Sequence, residues 1–220
     1  MNLFLHMPKC AGTSLREMIA QTEPGRLITD YNSHFRLPPA ERAQRLGELL
    51  RHPQNLSRHA IVFGHFFPVK YLGDNLLSAE NSNLVTILRG PLQRAYSHYK
   101  FWNALQNVDH FIWKKMKTEN WSFEEFALSD EMKSIYAQYL AHTPLGAFSY
   151  IGVYENLQNS IWNCLNALGL SQVANEEIPK SNVTPGKGEF KADPGFLREF
   201  RAFHHEDYLI YGYALAKFHQ

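Results

Sequence analysis

The stretch Asn2-Leu3-Phe4-Leu5-His6-Met7-Pro8-Lys9-Cys10-Ala11-Gly12-Thr13-Ser14-Leu15 decides how this chain folds. A short apolar run breaks at Pro8 and passes through a small-residue loop carrying one lysine. It then enters an amphipathic stretch over residues 15–20. That order predicts a strand, an anion-binding turn and the start of a helix. A helix N-terminus presents unpaired N–H groups and a partial positive charge, so it suits a phosphate or sulfate. Lys9 adds a full charge on a flexible stem.

Outward from this unit, apolar runs at residues 61–63, 84–88 and 150–153 join residues 3–6 as buried parallel strands, with 26–29 as a candidate fifth. Helical patterns fall between them, over residues 13–21, 40–51, 91–105 and 155–168. Residues 122–141 read as two helices around Ser129-Asp130, and 196–218 as a closing helix with a break near His204-His205. Strands alternating with helices predict an α/β fold: a P-loop-like single domain over residues 1–220, with a parallel central β-sheet flanked by helices on both faces. Ligands of such sheets sit beyond the carboxyl ends of the strands. Residues 6–14, 64–66 and 89–97 all follow strand ends and are expected on one rim.

Composition narrows the classes. The 220 residues are 45% hydrophobic and 14% aromatic with a net charge of +1, which fits a globular domain and demands no nucleic-acid partner. Two cysteines, Cys10 and Cys164, make no disulfide framework and have no zinc spacing. Cys10, in the anion loop, is either mildly reactive or simply a small residue that fits. His204-His205-Glu206-Asp207 reads as a solvated polar patch, because adjacent residues on a helix diverge. No run is long enough for a membrane span and no signal peptide is evident. The expectation is a soluble cytoplasmic protein with no metal and no integral membrane segment.

The loop itself can be classified. The nucleoside-triphosphate loop places lysine directly after its last glycine. Here Thr13 follows Gly12 and the lysine lies upstream at Lys9, which weakens an ATP or GTP reading. A second signature is Leu84-Val85-Thr86-Ile87-Leu88-Arg89-Gly90-Pro91, continuing to Ser97. The strand ends at Arg89, Gly90 turns the chain, and Pro91 suits the first position of a helix. Ser97 falls about two turns into that helix. An arginine fork and a serine hydroxyl could thus converge on one anion.

Pro-Lys-x-x-Gly-Thr-Ser after an apolar strand, followed by this second signature, resembles the sulfotransferases that use 3′-phosphoadenosine-5′-phosphosulfate (PAPS). Phe4-Leu5-His6-Met7 brings the resemblance to the carbohydrate, heparan 2-O-sulfotransferase-like branch, and the chain looks like a bacterial cytoplasmic member. The resemblance implies PAPS as cosubstrate. Lys9, Cys10, Ala11, Gly12, Thr13 and Ser14 would hold the 5′-phosphosulfate, Arg89 and Ser97 the 3′-phosphate. Lys187 and Gly188, in a late Pro/Gly-rich loop, would cover the 3′-phosphate and adenine, or form a plain surface loop. The implied acceptor is a hydroxyl of a glycan, polysaccharide or lipid-linked sugar.

Transfer to an alcohol needs a base, and histidine suits neutral pH. His65 follows Gly64 at a strand end between the two loops, where the resembling branch carries its catalytic histidine. That branch often shows His-Gly-His; here the first position is Phe63. The plainer reading of His65 is a satisfied histidine near the core. His6 either orders its loop or takes part directly, and His98, Tyr99 and His34 are weaker candidates. Acceptor contacts are expected among Tyr31, His34, Phe35, Arg36, Trp102, His110, Trp113, Lys114, Lys115, Lys117 and Trp121, with Lys114 to Lys117 hinting at an anionic glycan. The same residues would equally form ordinary amphipathic helices. Competing functions are a nucleotide kinase-like P-loop enzyme and a catalytically silent nucleotide-binding module.

Overall fold

The computed structural model describes residues 1–31, 37–52, 54, 56–57, 59–73, 82–172 and 193–219. Five strands form one sheet: β1 (Asn2–Leu5), β2 (Leu27–Asp30), β3 (Ile61–Gly64), β4 (Asn83–Leu88) and β5 (Tyr150–Val153). Their order is β2-β3-β1-β4-β5 and every pairing is parallel. Each of the five matches a run expected from the sequence to within about a residue at either end, the agreement a strongly apolar run allows. Successive side chains of a strand point to opposite faces, so continuous burial requires cover on both. β1, β3 and β5 are buried at every position, and β4 at all but its first. β2 is exposed at Ile28 and Thr29, as an edge strand is.

Helices supply that cover. They are α1 (Gly12–Thr22), α2 (Pro39–Arg51), α3 (Val69–Leu72), α4 (Pro91–Ala104), α5 (Phe111–Thr118), α6 (Phe123–Ala127), α7 (Ile135–Tyr139), α8 (Leu157–Ala167), α9 (Pro194–Phe203) and α10 (His205–Phe218). The segment expected to hold two helices divides into α6 and α7, with a 3-10 turn at Asp130–Met132 between them. The closing segment breaks at His204 as expected. α3 and α5 were not anticipated. α5 starts at His110, whose side chain caps the Ile112 N–H, an unusual capping residue.

The topology creates the site. From β1 the chain leaves toward β2, and from β4 it leaves toward β5, so connections diverge between two hydrogen-bonded neighbours. Such a switch point opens a crevice at the carboxyl ends of the strands. The loop after β1 and the turn after β4 stand on its two sides. Gly64, at the end of β3, permits a close approach: a Cβ there would lie 1.9 Å from the Asp30 carbonyl oxygen, and its φ is +158°. The Asp30 carboxylate is buried, accepting from Lys70 Nζ at 2.6 Å and from the Tyr71 hydroxyl at 2.7 Å. That cluster fixes the end of β2, from which Tyr31 enters the site.

Candidate active site

In the loop after β1, Lys9 and Ala11 adopt left-handed backbone conformations, with φ of 66° and 62°. Non-glycine residues hold such conformations at a cost of about 1–3 kcal/mol and chiefly where the surroundings impose them. Ala11 is the N-cap of α1 and provides no side-chain cap. The helix therefore begins with amides that no capping side chain satisfies, at the mouth of the crevice. Gly12 is required by packing: a Cβ there would lie 2.1 Å from Cδ2 of His6, whose ring covers the start of the helix. Cys10 is buried, its thiol 3.6 Å from the Pro8 carbonyl oxygen, and burial pushes it up to about 12. It fits the loop as a small residue and is not a reactive thiolate. Ser14 is buried, and Thr13 is partly exposed in the first turn.

The turn after β4 is clamped through its backbone. The Tyr136 hydroxyl accepts from the Arg89 N–H at 3.0 Å, donates to the Arg89 carbonyl at 2.5 Å, and lies 3.8 Å from Cys10 Sγ. Gly90 donates its N–H to Glu155 Oε1 at 2.9 Å, and the Tyr211 hydroxyl holds the other oxygen of that carboxylate at 2.9 Å. Tyr154 lies under the Arg89 guanidinium, 4.2 Å from its ring centroid. The Tyr154-Glu155 junction thus holds this turn through both of its side chains.

Lys9 and Arg89 lie close enough for each to feel the other's charge. Burial lowers the proton affinity of the Lys9 ammonium, and the nearby Arg89 charge lowers it further. Lys9 Nζ rests 3.9 Å from the ring centroid of Phe101 on α4. Phe101 is one helical turn beyond Ser97, on the same face of α4. The first loop, the strand-end arginine and the serine-bearing face therefore border one space. Among the described residues, neither Lys9 nor Arg89 is paired with a carboxylate.

His65 stands beside them. The ladder between β1 and β3 ends with the His6 N–H donating to the Gly64 carbonyl at 2.8 Å. The chain turns away after Gly64, and the His65 ring takes the next rung, its Nδ1 at 2.7 Å from the His6 carbonyl oxygen. A carbonyl only accepts, so Nδ1 carries a proton in either charge state, and when the ring is neutral the lone pair sits on Nε2. The His6 ring stacks on His65 at 4.7 Å, while Tyr31 and Tyr139 meet His65 edge-on at 5.0 and 5.7 Å. His6 is held neutral chiefly by burial, with the charges of His65, Arg16 and Lys9 adding to the effect. Its Nδ1 lies 3.2 Å from the Tyr31 hydroxyl. The role its contacts support is ordering the loop and orienting His65.

One expectation is overturned. His204 and Asp207 are not a solvated patch: both are buried, while His205 and Glu206 between them face outward. Positions three apart on a helix share a face, and this face meets the start of α7. His204 Nδ1 accepts the Ser134 N–H at 3.2 Å, and Asp207 Oδ1 accepts those of Tyr136 and Ala137 at 2.8 and 3.3 Å. His204 Nε2 in turn donates to the Ala127 carbonyl at 2.7 Å. Two residues of the α9–α10 junction therefore cap α7, whose own N-cap, Ser134, provides none. α7 carries Tyr136 to Arg89 and Tyr139 to His65, so this capping sets the site from a distance.

The remaining candidates divide. His98 is buried, kept neutral by burial and by Arg94, whose Nη1 lies 3.4 Å from its Nδ1. Tyr99 donates to the Trp121 carbonyl at 3.0 Å and is structural. Lys114 and Lys115 pair with the carboxylates of Asp109 and Glu131, while Lys117 bonds to the neutral amide of Asn103, so of the three Lys117 alone keeps an uncompensated charge among the described residues. Trp113 donates its indole N–H to the Trp102 carbonyl. His34, Phe35, Arg36, Lys187 and Gly188 lie outside the described residues. Sequence reasoning missed Tyr136, Tyr139 and Phe101. No motif marks them, because each acts across the fold. Among the described residues no helix is long and apolar enough to cross a membrane, and no three His, Cys, Asp or Glu side chains gather as a metal site.

No protein-family model matches the chain, and no curated protein matches its sequence. Among solved structures the chain is similar to a sulfotransferase from Alicyclobacillus acidocaldarius, with 15% identity and a TM-score of 0.49, over 100% of this chain and 95% of that one.

Proposed function

We propose that this protein is a PAPS-dependent sulfotransferase that acts on a hydroxyl of a carbohydrate acceptor. The observation that carries the reading is the proximity of Lys9 and Arg89, two like charges that pair with no carboxylate among the described residues, with Lys9 in a loop that leads into the uncapped start of α1. Such a cluster stores repulsion that a bound polyanion relieves. The residues present fit an adenosine bisphosphate. The first-turn amides with Thr13 and Ser14 would take the 5′ end, and the Arg89 fork with the Ser97 hydroxyl the 3′-phosphate.

PAPS, when bound, supplies the sulfuryl group; its sulfur–oxygen bond to the 5′-phosphate breaks as the bond to the acceptor oxygen forms. His65 takes the acceptor proton on Nε2, the nitrogen that its bond to His6 leaves unprotonated. Lys9 neutralises charge developing on the bridging phosphate oxygen. Arg89 and Ser97 aim the donor. Catalysis is then positioning plus preorganised charge, and the two cations take the part a metal would otherwise play, so transfer should persist in EDTA.

The test is a thermal-shift titration with PAPS, its desulfated product and ATP, joined to labelled-sulfate transfer. The adenosine bisphosphate pair should raise the midpoint and ATP should not. A midpoint raised by ATP alone would move the protein to the kinase-like reading. Binding of PAPS without transfer to any acceptor would leave a silent binding module.

A further inference from the structure

A cavity of 270 Å³ opens between Pro8 of the first loop and Tyr139 of α7. These residues border the proposed reacting centre: Pro8 precedes Lys9, and Tyr139 meets His65 edge-on. The cavity therefore adjoins the proposed reacting centre, with the Tyr139 ring shared between its wall and His65.

Its chemistry is not that of a site for an acidic polysaccharide. Trp102, Ile112, Met132 and Ile135 supply much of the wall. His98, in the lining, is held neutral by burial. The charged lining comprises one cation, Arg42, against the two carboxylates of Asp130 and Glu131. Arg42 donates to Gln138 at 2.6 Å, and Glu131 accepts from Lys115 at 2.8 Å. The two carboxylates are matched by Arg42 and Lys115, so a polyanion would find no net positive charge here, and the hydroxyls of a free sugar would be stripped of water against mainly apolar walls. An uncharged apolar group would lose nothing and would exclude water beside His65.

We propose that this cavity is the subsite for an uncharged apolar group attached to the acceptor: the aglycone of an aryl- or alkyl-linked sugar. This rests on the sulfotransferase reading and narrows its acceptor class. The apolar group sits among Trp102, Ile112, Met132 and Ile135, and the sugar hydroxyl reaches His65.

The experiment compares p-nitrophenyl glucoside, hexyl glucoside, glucose and a uronate-containing disaccharide. Each is measured as acceptor for labelled sulfate and, independently, by calorimetric binding to the full chain. Both glycosides should exceed glucose and the disaccharide by at least about 100-fold in kcat/KM, chiefly through KM, and should bind without PAPS. Ile135→Thr, which loses the terminal methyl group and gains a hydroxyl, and Ile135→Asp should weaken glycoside binding in that order and leave the affinity for adenosine 3′,5′-bisphosphate unchanged. Equal kcat/KM for glucose and the glycosides, or preference for the disaccharide, overturns the subsite and leaves the sulfotransferase reading standing. Glycoside binding abolished by Ile135→Asp, with no binding of the bisphosphate to wild type, would support the cavity and sink the donor reading instead. Absence of glycoside binding to wild type removes the proposal.

Discussion

The His65 imidazole donates its Nδ1–H to the main-chain carbonyl of His6 at 2.7 Å. A side chain here completes a β-ladder that the backbone abandons, and in doing so fixes its own tautomer. Structural satisfaction and readiness as a base are the same bond, so the plainer reading of His65 does not compete with the functional one. His65→Ala is expected to lower kcat for sulfate transfer by about 10²–10⁴-fold, the range for loss of a general base. Calorimetry should find donor binding little changed. Retention of wild-type turnover would remove His65 from the reaction.

Lys9 and Arg89 should separate kinetically. Lys9→Ala is expected to abolish turnover, because its charge matters most as the bridging oxygen becomes an anion. Arg89→Ala should instead weaken binding of adenosine 3′,5′-bisphosphate by about 10–100-fold, the worth of a charge-assisted hydrogen bond. An unchanged dissociation constant for Arg89→Ala would contradict its assignment to the 3′-phosphate.

Tyr136 joins the loop after β1 to the turn after β4. Tyr136→Phe keeps the ring and removes one hydroxyl, leaving the Arg89 N–H and carbonyl without their partner. Stability in urea should fall by about 1–3 kcal/mol. Donor affinity should fall with it, since Arg89 loses its backbone anchor. A variant as stable as wild type, with normal donor affinity, would show that the clamp is dispensable.

His204 and Asp207 give opposite pH dependences. Burial holds His204 down to about 4 from 6.5 and raises Asp207 to about 6 from 3.8. Stability from His204 is present above pH 6.5 and lost as pH falls through 4. Stability from Asp207 is present below pH 3.8 and lost as pH rises through 6. Between pH 4 and 6 the two nearly cancel. Asp207→Asn keeps an oxygen for the α7 amides and removes one slope. Its stability relative to wild type should improve by about 3 kcal/mol from pH 4 to 6.5, at about 1.4 kcal/mol for each tenfold change in proton affinity. Urea melts at the two pH values measure this; a constant difference would mean that the carboxylate is not strained by burial.

Gly64→Ala places a methyl group 1.9 Å from the Asp30 carbonyl oxygen, where two paired strands cannot separate cheaply. It should cost more than about 2 kcal/mol. It should also disturb His65, which follows directly. Thermal melting and transfer rates read the two effects.

What the residues alone determined is local. Four apolar runs became β1, β3, β4 and β5 because a buried parallel strand needs no partner to be recognised, and the candidate run at 26–29 became the half-exposed edge strand β2. The loop at Lys9 and the turn at Arg89 were legible because proline, glycine and small residues punctuate a chain wherever it goes. The late loop with Lys187 and Gly188 falls outside the described residues. Tertiary structure alone decided what lies between positions far apart in sequence. Tyr136 reaches Arg89 across 47 positions, and Asp207 caps α7 across 71. Residues 204–207 looked like a polar surface because helical spacing tells which residues share a face, and says nothing of what that face meets. Burial of a charge or an amide is set by the partner that arrives from elsewhere, and so the strands could be read from the chain while the clamp, the tautomer and the cavity could not.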